Sequence, residues 1–373
     1  MALIIAVLAL IVLGAEKVYS QIKLINNQKQ ELLKNIGDLN NQIQELKDID
    51  QVKVNEKLTE DIKTIEKNYQ DSVKLYERIL DIADKGSVLK IQTNWAEIIS
   101  LLSKNNYASA SAAMEKLSLD IKKIEEQATI AKIPENLPVK DTPPSSGQSK
   151  QVVKTDVGDF VVNIISANLS DTKLIVDTAS NSDCSNDCPV LPLAEYAKRS
   201  GAIAAINGPY FCPATYPTCS DKKNSFDTLL MNKNKTYFNS DNNVYSNNPV
   251  AIFSNTSRFV ENGSSWGRDT SVDAVIMSRP LLVFNGEIKF FGNSDTKETS
   301  RGNRSFLGAS DGTVYIGIVY SATVAETAKV IAKLGIKNAI NLDSGGSSAF
   351  WSNGKYLAGP GRDLPFGVLL VRR

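Results

Sequence analysis

The hydrophobic pattern of this chain changes its period at a segment rich in proline and serine, residues 133–150. Before this segment, apolar residues recur at intervals of three, four and seven, which is the spacing of helices. After it, runs of β-branched residues alternate with Asn-Gly and Asp-Gly pairs, a pattern typical of strands joined by tight turns. The sequence therefore predicts a helical N-terminal part, a linker over residues 133–150, and an α+β domain over residues 151–373 with a mixed, largely antiparallel sheet.

Residues 2–15 are apolar without interruption. This run is shorter than the roughly 20 residues that a membrane-spanning helix needs, and it fits the hydrophobic region of a signal peptide better. No basic residue precedes it, and no good small-x-small cleavage site follows it. We expect a signal-anchor or a signal peptide over residues 1–15. Either one would place the rest of the chain outside the cytoplasm, membrane-anchored or secreted.

Residues 16–86 are predicted to form a coiled-coil stalk. Apolar residues recur every seven positions, and the spacing resumes after a slip near Asp50. The first set comprises Ile25, Leu32, Leu39 and Leu46, with Ile36 and Ile43 in the interleaved position. This seam predicts a homo-oligomer; the alternative is a single amphipathic helix that folds on its neighbours. Residues 87–132 predict a helical hairpin, with helices over 87–104 and 107–131.

The absence of histidine excludes several kinds of catalytic site. Ser-His-Asp and Cys-His catalysis, a histidine general base and histidine ligation of zinc are all ruled out. The charges nearly balance, with 42 Lys and Arg against 41 Asp and Glu, so the chain has no general basic field for nucleic acid. The chemistry must therefore come from carboxylates, Arg, Lys, Tyr, Ser or Cys.

The four cysteines lie in polar segments that are typical of loops. They are Cys184, Cys188, Cys212 and Cys219. Disulfides would require an oxidising compartment, whereas a four-cysteine zinc site would favour closer pairs with two intervening residues. We favour disulfides, with zinc as the alternative, and the sequence leaves three pairings open.

Residues 341–348 (Asn-Leu-Asp-Ser-Gly-Gly-Ser-Ser) contain the strongest catalytic candidate. A predicted strand ends in the carboxylate of Asp343, and Gly345 and Gly346 then allow a sharp turn and the close approach of a ligand. Asp343 could act as a nucleophile, a general base or an electrostatic stabiliser. The alternative is that it caps the glycine turn. Ser347 could donate a hydrogen bond to phosphate, or could be a strand residue.

Residues 204–211 (Ala-Ala-Ile-Asn-Gly-Pro-Tyr-Phe) repeat this design far upstream. Asn207 could donate to and accept from polar groups of a ligand, Gly208 permits close approach, and the ring of Tyr210 could stack on a face of the ligand. The alternative is that Asn207 and Gly208 only close a turn, and we expect Phe211 to lie in the core. Two polar strand ends with adjoining glycines predict one shared cleft.

Arg304 is the candidate phosphate ligand, because a planar guanidinium binds phosphate oxygens in pairs and stays charged. The alternative is a surface salt bridge. Arg301 could assist it or could simply be solvated. The carboxylate of Glu326 fits a capping box, Thr-Val-Ala-Glu, at the start of a predicted helix. Asp311 fits a hairpin turn.

These segments, in this order and with the closing residues 365–371, resemble the phosphodiester glycosidase family over residues 151–373. The family usually shows Asp-Gly-Gly-Gly-Ser, and here Ser344 stands in place of the first glycine. The resemblance implies hydrolysis of a sugar-1-phosphodiester, and we expect Asp343, Arg304 and Asn207 to be the catalytic residues. The predicted substrate-binding residues are Gly208, Tyr210, Ser344, Gly345, Gly346, Ser347 and Arg301.

The expected function is that of a membrane-tethered extracytoplasmic hydrolase that acts on sugar phosphodiesters of envelope or exopolysaccharide material. The alternative is a non-catalytic module that holds an anionic envelope glycan on an oligomerising stalk. The expected partners are the carbohydrate substrate and, through the N-terminus, the membrane. No cofactor is predicted to be required, although a divalent cation could bind Asp343 and bridge to phosphate.

Overall fold

The computed structural model describes residues 2–47, 50–82, 88–130, 136–239, 241, 243 and 245–373. Three features of the predictions fall at residues outside these ranges: residues 48 and 49 beside the predicted slip, the end of the predicted coiled coil and the start of the predicted linker. The helices are α1 (Ala2–Lys47), α2 (Asp50–Ile82), α3 (Val88–Ser103), α4 (Tyr107–Ile130), α5 (Leu193–Arg199), α6 (Thr296–Thr299) and α7 (Val324–Lys333). The chain divides into two compact units, Met1–Tyr69 and Gln70–Arg373.

The first unit consists of α1 and the first part of α2. Helix α1 is continuous from Ala2, so the apolar run of residues 2–15 and the heptad region belong to one helix. Its large apolar residues from Val18 to Leu46 are exposed. Within the described residues, no helix carries an apolar stretch of the length that crossing a membrane requires.

The second unit begins with the end of α2, which packs with α3 and α4. The predicted hairpin is present: α3 and α4 lie within one residue of the predicted bounds, and Asn105 turns the chain between them with a positive φ of 56°. The helices bury a small apolar core of their own that includes Ile79 of α2, Ile98 of α3 and Leu117 of α4. Trp95 is partly buried against this core and packs beside the ring of Tyr76.

Three antiparallel sheets form the rest of this unit, which makes it an α+β structure as predicted. Their strands are β1 (Gly147–Thr155), β2 (Gly158–Asn168), β3 (Thr172–Thr178), β4 (Ala204–Asn207), β5 (Leu230–Met231), β6 (Tyr237–Phe238), β7 (Val250–Phe253), β8 (Ser257–Val260), β9 (Ala274–Met277), β10 (Leu281–Phe284), β11 (Glu287–Ile288), β12 (Gly302–Ser310), β13 (Thr313–Ala322), β14 (Asn338–Asn341), β15 (Phe350–Ser352), β16 (Lys355–Ala358) and β17 (Phe366–Arg372). The first sheet has the order β1-β2-β13-β12-β14-β10-β11. The second has the order β16-β15-β4-β17-β3, and the third β6-β5-β9-β7-β8. Strand β1 starts at Gly147, inside the segment predicted as a linker, because it pairs with β2 along its whole length.

The main core lies between the first and second sheets and extends to one face of the third. The central strands β2, β12 and β13 are buried on both faces, because α7 covers the other side of the first sheet. Helix α7 begins with the predicted capping box: the Thr323 hydroxyl accepts from the backbone N–H of Glu326, and the Glu326 carboxylate accepts from that of Thr323. This result places Glu326 in a structural role.

All three predicted two-residue turns are present. Asn285-Gly286, Asp311-Gly312 and Asn353-Gly354 each have both residues at positive φ, which is the conformation of a type I′ hairpin turn. The chain also forms two disulfides, Cys184–Cys188 and Cys212–Cys219. The preference for disulfides over zinc is therefore confirmed. Of the three possible pairings, the structure has the one in which each cysteine bonds to its nearest cysteine in the sequence. Disulfides are typical of extracytoplasmic proteins.

Candidate active site

A cleft of about 1630 Å³ opens in the second unit, beside the ends of β4 and β14. It is lined by many charged side chains of both signs. Its lining includes Glu77, Asp81, Tyr210, Tyr216, Asp227, Arg279, Lys297, Arg301, Arg304, Asp343, Ser344, Gly345 and Ser347. The cleft thus contains most of the residues that the sequence singled out and several that it did not.

The two strand ends identified in the sequence adjoin each other. The backbone N–H of Asp343 donates to the carbonyl of Gly208 at 3.1 Å. The side-chain amide of Asn207 donates to the carbonyl of Asp343 at 2.7 Å. Strand β4 belongs to the second sheet and β14 to the first, so these bonds join the two sheets at the floor of the cleft.

Asn207 holds the backbone of the cleft floor through side-chain hydrogen bonds. Its side chain is fully buried, and its oxygen accepts hydrogen bonds from the hydroxyl of Ser305 at 2.8 Å and the backbone N–H of Ala349 at 3.2 Å. Its nitrogen donates to the carbonyls of Gly208 and Asp343. Since both ends of the amide bind protein groups, Asn207 holds the backbone of Asp343 in place rather than facing the cleft.

Asp343 is half-buried at the cleft floor. One carboxylate oxygen accepts from the backbone N–H of Ser344 at 2.8 Å, and the hydroxyl of Ser347 also donates to the carboxylate. Burial raises the pKa of Asp343 to about 6; the bonds from Ser347 and Ser344 and the charge of Arg362 oppose this rise, and the charge of Asp81 adds to it. A carboxyl group with a pKa near neutrality in a cleft is suited to acid–base or nucleophilic chemistry.

Arg362 is a cation that the sequence did not single out. Its Nη2 atom forms an ion pair with Asp81, while its Nη1 atom is buried and has no hydrogen-bond partner among the described residues. Burial lowers the pKa of Arg362, but the charges of Asp81 and Asp343 and a hydrogen bond with Tyr216 raise it by more. A buried donor without an acceptor is costly. Arg362 is not itself among the residues that line the cleft, but its charge acts on Asp343, which is.

Helix α2 contributes two carboxylates to the cleft wall. Asp81 accepts a hydrogen bond of 2.6 Å from the hydroxyl of Tyr216 in addition to its ion pair with Arg362. Glu77, one helical turn earlier, pairs with Lys297 at 3.2 Å and accepts from the hydroxyl of Thr218. Positions four apart lie on one face of a helix, so α2 presents both carboxylates to the cations of the cleft.

Tyr216 and Thr218 belong to a short loop closed by the disulfide Cys212–Cys219. The guanidinium of Arg362 lies 5.0 Å from the ring centroid of Tyr216, and the ammonium of Lys297 lies 4.7 Å from it. Both distances are within the range of cation–π interactions. The disulfide therefore fixes an aromatic ring among the cations of the cleft.

The two arginines predicted as phosphate ligands have partners in the protein. The guanidinium of Arg304 is buried and donates to the backbone carbonyls of Ala322, Lys297 and Ser300, which ties α6 to the sheet. Arg301 forms an ion pair with Glu326 and donates to the carbonyl of Ser321 at 3.2 Å. Both line the cleft and contribute positive charge to it.

The predicted glycines differ in which groups occupy the space that a side chain would take. A Cβ atom at Gly208 would lie 2.5 Å from the ring of Phe366, so this glycine serves core packing. At Gly346 the same space holds the guanidinium of Arg362 and, at 2.9 Å, the carboxylate of Asp81. Gly345 has a positive φ of 64°, which favours glycine. The glycine turn thus allows close approach to its backbone, and charged side chains use that space.

Tyr210 and Asp227 complete the cleft. The hydroxyl of Tyr210 accepts from the side-chain amide of Asn341 at 2.7 Å, and the guanidinium of Arg279 lies 5.5 Å from its ring centroid. Burial raises the pKa of Asp227, with Lys222 and Arg279 opposing the rise. Asp227 is therefore a second carboxyl group with a raised pKa in the same cleft. Phe211, predicted to be core, is buried between the sheets.

Sequence reasoning missed Asp81, Glu77, Tyr216, Asp227 and Arg362. Asp81 and Arg362 are 281 residues apart, and the heptad pattern predicts a stalk separate from the domain over residues 151–373. One local signal was available. If Cys212 pairs with Cys219, one of the three pairings that the sequence leaves open, the disulfide closes a short loop next to a candidate site and predicts that the aromatic residue of this loop is held there.

Residues 200–371 match the phosphodiester glycosidase family. No curated protein shows significant sequence similarity to the chain. Among solved structures, the catalytic domain of zebrafish N-acetylglucosamine-1-phosphodiester alpha-N-acetylglucosaminidase is 15% identical, with a TM-score of 0.49 over 64% of this chain and 87% of that one. A hypothetical protein from Synechocystis is 13% identical, with a TM-score of 0.43 over 61% of this chain. The present chain spans 62% of the length of that protein.

Proposed function

We propose that this chain, in which residues 200–371 form a phosphodiester glycosidase domain, is a hydrolase that cleaves sugar-1-phosphodiesters. In the proposed reaction, water replaces the phosphate at the anomeric carbon, and the C1–O bond breaks. The products are a free sugar and a phosphomonoester. The observation that carries the proposal is the position of Asp343, with its raised pKa, at the cleft floor, together with the charge of Arg362 that acts on it from beside the cleft.

The leaving group explains why a small catalytic apparatus would suffice. A phosphomonoester has a second pKa of about 6 and leaves far more easily than an alkoxide. Strong help from a general acid is therefore less necessary than at an ordinary glycosidic bond. The remaining requirements are to neutralise the charge on the departing phosphate and to stabilise the positive charge that develops on the sugar.

We propose that Arg362 binds the phosphate group of the substrate. A guanidinium supplies donors in a fixed plane, and one of its amino groups is already held by Asp81. The other, Nη1, would donate to a phosphate oxygen. The positive charges of Lys297 and Arg304 on the cleft wall would add attraction for the substrate without direct contact.

We propose that Asp343 is the carboxyl group that acts at the anomeric carbon, C1. At pH 7 a carboxyl group with a pKa of about 6 is mostly ionised. As a carboxylate it could attack C1, accept a proton from the attacking water, or stabilise the sugar cation. Ser347 would orient it, and Asn207 would hold its backbone. The ring of Tyr210 would contact the sugar.

An activity assay on the full chain tests the proposal. The enzyme is incubated with a panel of methyl phosphodiesters of sugar-1-phosphates, and free sugar and methyl phosphate are measured. We expect turnover for at least one sugar and a loss of at least a hundredfold in Asp343→Asn. The matched control is Asp311→Asn, the same change in a hairpin turn whose positive φ asparagine also accepts. Equal activity in Asp343→Asn and wild type would remove Asp343 from the mechanism; binding without turnover would favour the glycan-binding module.

We further propose that the chain is exported and acts on envelope or exopolysaccharide material, with residues 2–15 as the signal or anchor. The two disulfides support an oxidising compartment. Self-association through α1 is part of the same proposal. The reaction as written needs no metal ion, because guanidinium groups supply the positive charge. Full activity after dialysis against EDTA is the expected result.

A further inference from the structure

The long helix α1 carries a row of large apolar side chains that no part of the described chain covers. Ile36 and Leu39, for example, are 47% and 57% exposed. The equivalent residues near the end of α2, Leu75 and Ile79, are buried against α3 and α4. Within the described residues, the chain therefore covers the apolar row at the end of α2 and leaves the apolar row of α1 exposed.

The spacing of this row assigns every member to a heptad position. The intervals alternate between three and four residues from Ile22 to Leu46, and in a heptad the step from a to d is three. The a positions are therefore 22, 29, 36 and 43, and the d positions are 25, 32, 39 and 46. The opposite assignment would require a step of four from a to d, so the pattern admits one labelling only.

The residue types at these positions differ between a and d. The a positions hold isoleucine at 22, 36 and 43 and lysine at 29; the d positions hold leucine at 32, 39 and 46 and isoleucine at 25. In parallel coiled coils, β-branched residues at a with leucine at d favour two strands, whereas leucine at a with isoleucine at d favours larger assemblies. The pattern is that of a two-stranded parallel pair.

Lys29 would fix the register of such a pair. When two chains lie parallel and in register, both lysines fall in the same layer, and only that layer loses its apolar contact. A slip of one heptad would place each Lys29 opposite an isoleucine and spoil two layers instead of one. A single polar residue at an a position is a known means of specifying register, at some cost in stability.

The flanking positions do not oppose pairing with a second copy. In the heptads that start at residues 22, 29 and 36, the e and g positions hold Asn, Gln and one Leu, and none is charged. The charged residues Lys23, Glu31, Lys34, Asp38 and Glu45 lie at positions b, c and f, away from the seam. Outside the Lys29 layer, like charges therefore do not meet across the interface, and no charge pattern at e and g selects a different partner.

From these observations we propose that α1 pairs with α1 of a second copy in a parallel, in-register, two-stranded coiled coil over residues 22–46. The occupant of the exposed seam is the same segment of another chain. This inference does not depend on the catalytic role of the second unit, because it concerns α1 alone.

The molecular mass of the full chain in mild detergent tests the strand number. We expect a dimer in sedimentation equilibrium and at least a tenfold weaker association in Leu39→Asp. Leu24→Asp is the matched control, because Leu24 is 58% exposed on the same helix but lies at a c position, off the seam. A monomer or a trimer in the wild type, or equal effects of the two substitutions, would overturn the proposal.

Disulfide trapping tests direction and register. All four native cysteines are in disulfides, so Ile43→Cys introduces the one free thiol of the chain. Position 43 lies near one end of the seam, and two copies of it meet only in a parallel, in-register pair. We expect a cross-linked dimer of Ile43→Cys under mild oxidation and none of Gln44→Cys, which lies at a b position. Absence of the first cross-link, with the dimer mass unchanged, would overturn the parallel arrangement.

Discussion

Asp81 and Arg362 act on the carboxyl group of Asp343 in opposite directions. The negative charge of Asp81 raises the pKa of Asp343, and the positive charge of Arg362 lowers it. The two residues are also paired with each other, so the protonation of Asp343 depends on a charge pair that spans α2 and the loop before β17.

This pair gives a prediction for the pH dependence of hydrolysis. If the ionised form of Asp343 is active, the acid limb of kcat/KM lies near its pKa of about 6. Asp81→Asn removes a cause that raises this pKa and should move the limb to lower pH. Arg362→Gln removes a cause that lowers it and should move the limb to higher pH. Shifts of the same sign in the two variants would contradict this electrostatic scheme.

A second prediction concerns stability. The folded pKa of Asp343 is raised above its ordinary value of 3.8, so folding favours the protonated form. That stabilisation is present in full below pH 3.8 and is lost as the pH rises through about 6. Asp343→Asn mimics the protonated carboxyl group and should stabilise the protein at pH 8 by about 1–3 kcal/mol. Thermal unfolding at pH 5 and pH 8 checks this; a Tm difference that does not grow with pH would contradict it.

At the residue scale, the sequence predicted the positions that obey local rules. Asp343 and Asn207 stand at strand ends, and Glu326 forms its capping box. The partners of these residues could not be predicted in the same way. Arg362 is paired with Asp81 and acts on Asp343, whereas the guanidinium of Arg304 is engaged by backbone carbonyls. Which arginine finds carbonyl partners depends on tertiary packing and leaves no trace in local spacing.

At the scale of elements, the disulfide loop that carries Tyr216 is the part of the cleft wall most open to a direct test. Cys212→Ala with Cys219→Ala should cost about 2–3 kcal/mol by releasing a short loop. It should also raise KM, because the loop positions Tyr216 and Thr218 against the cleft.

The other disulfide provides the control for this prediction. Cys184 and Cys188 also close a short loop, but neither residue lines the cleft. Replacing both with alanine should cost a similar amount of stability and leave KM unchanged. Thermal unfolding and steady-state kinetics of the two double variants make the comparison. A KM effect of equal size in both would contradict a specific role for the Tyr216 loop.

Elements with strong local signals were predictable from sequence, and those without them were not. The hairpins at Asn285-Gly286 and Asp311-Gly312 formed as predicted, because these pairs accept positive φ at both positions. The third sheet was not predicted. Its strands are only two to four residues long, for example β5 and β6, and such short runs show no period; long-range pairing forms them.

At the scale of the whole molecule, the unit that carries the candidate active site extends further towards the N-terminus than residue 151. The unit that contains the cleft begins at Gln70, and α2 supplies two carboxylates to it. The hydrophobic spacing changes from helical to strand-like at residues 133–150, but this change does not mark the boundary between the two compact units, which lies at Gln70.

This extent predicts different behaviour for two fragments. Residues 70–373 keep the ion pairs of Glu77 and Asp81, whereas residues 151–373 lose them and leave Arg362 unpaired. The shorter fragment should unfold at a lower temperature, by about 2–4 °C for each kcal/mol of interaction lost. Its acid limb should also move as in Asp81→Asn. Equal Tm values and equal pH profiles for the two fragments would show that α2 is not part of the catalytic unit.

The position of bond cleavage tests the central claim most directly. Hydrolysis in water enriched in ¹⁸O distinguishes attack at the anomeric carbon from attack at phosphorus, and mass spectrometry of the phosphomonoester product reads the result. Cleavage of the C1–O bond, with Asp343 acting at the sugar, predicts a phosphomonoester without ¹⁸O. One atom of ¹⁸O in that product would mean that water attacks phosphorus, and would contradict a glycosidase mechanism at this cleft.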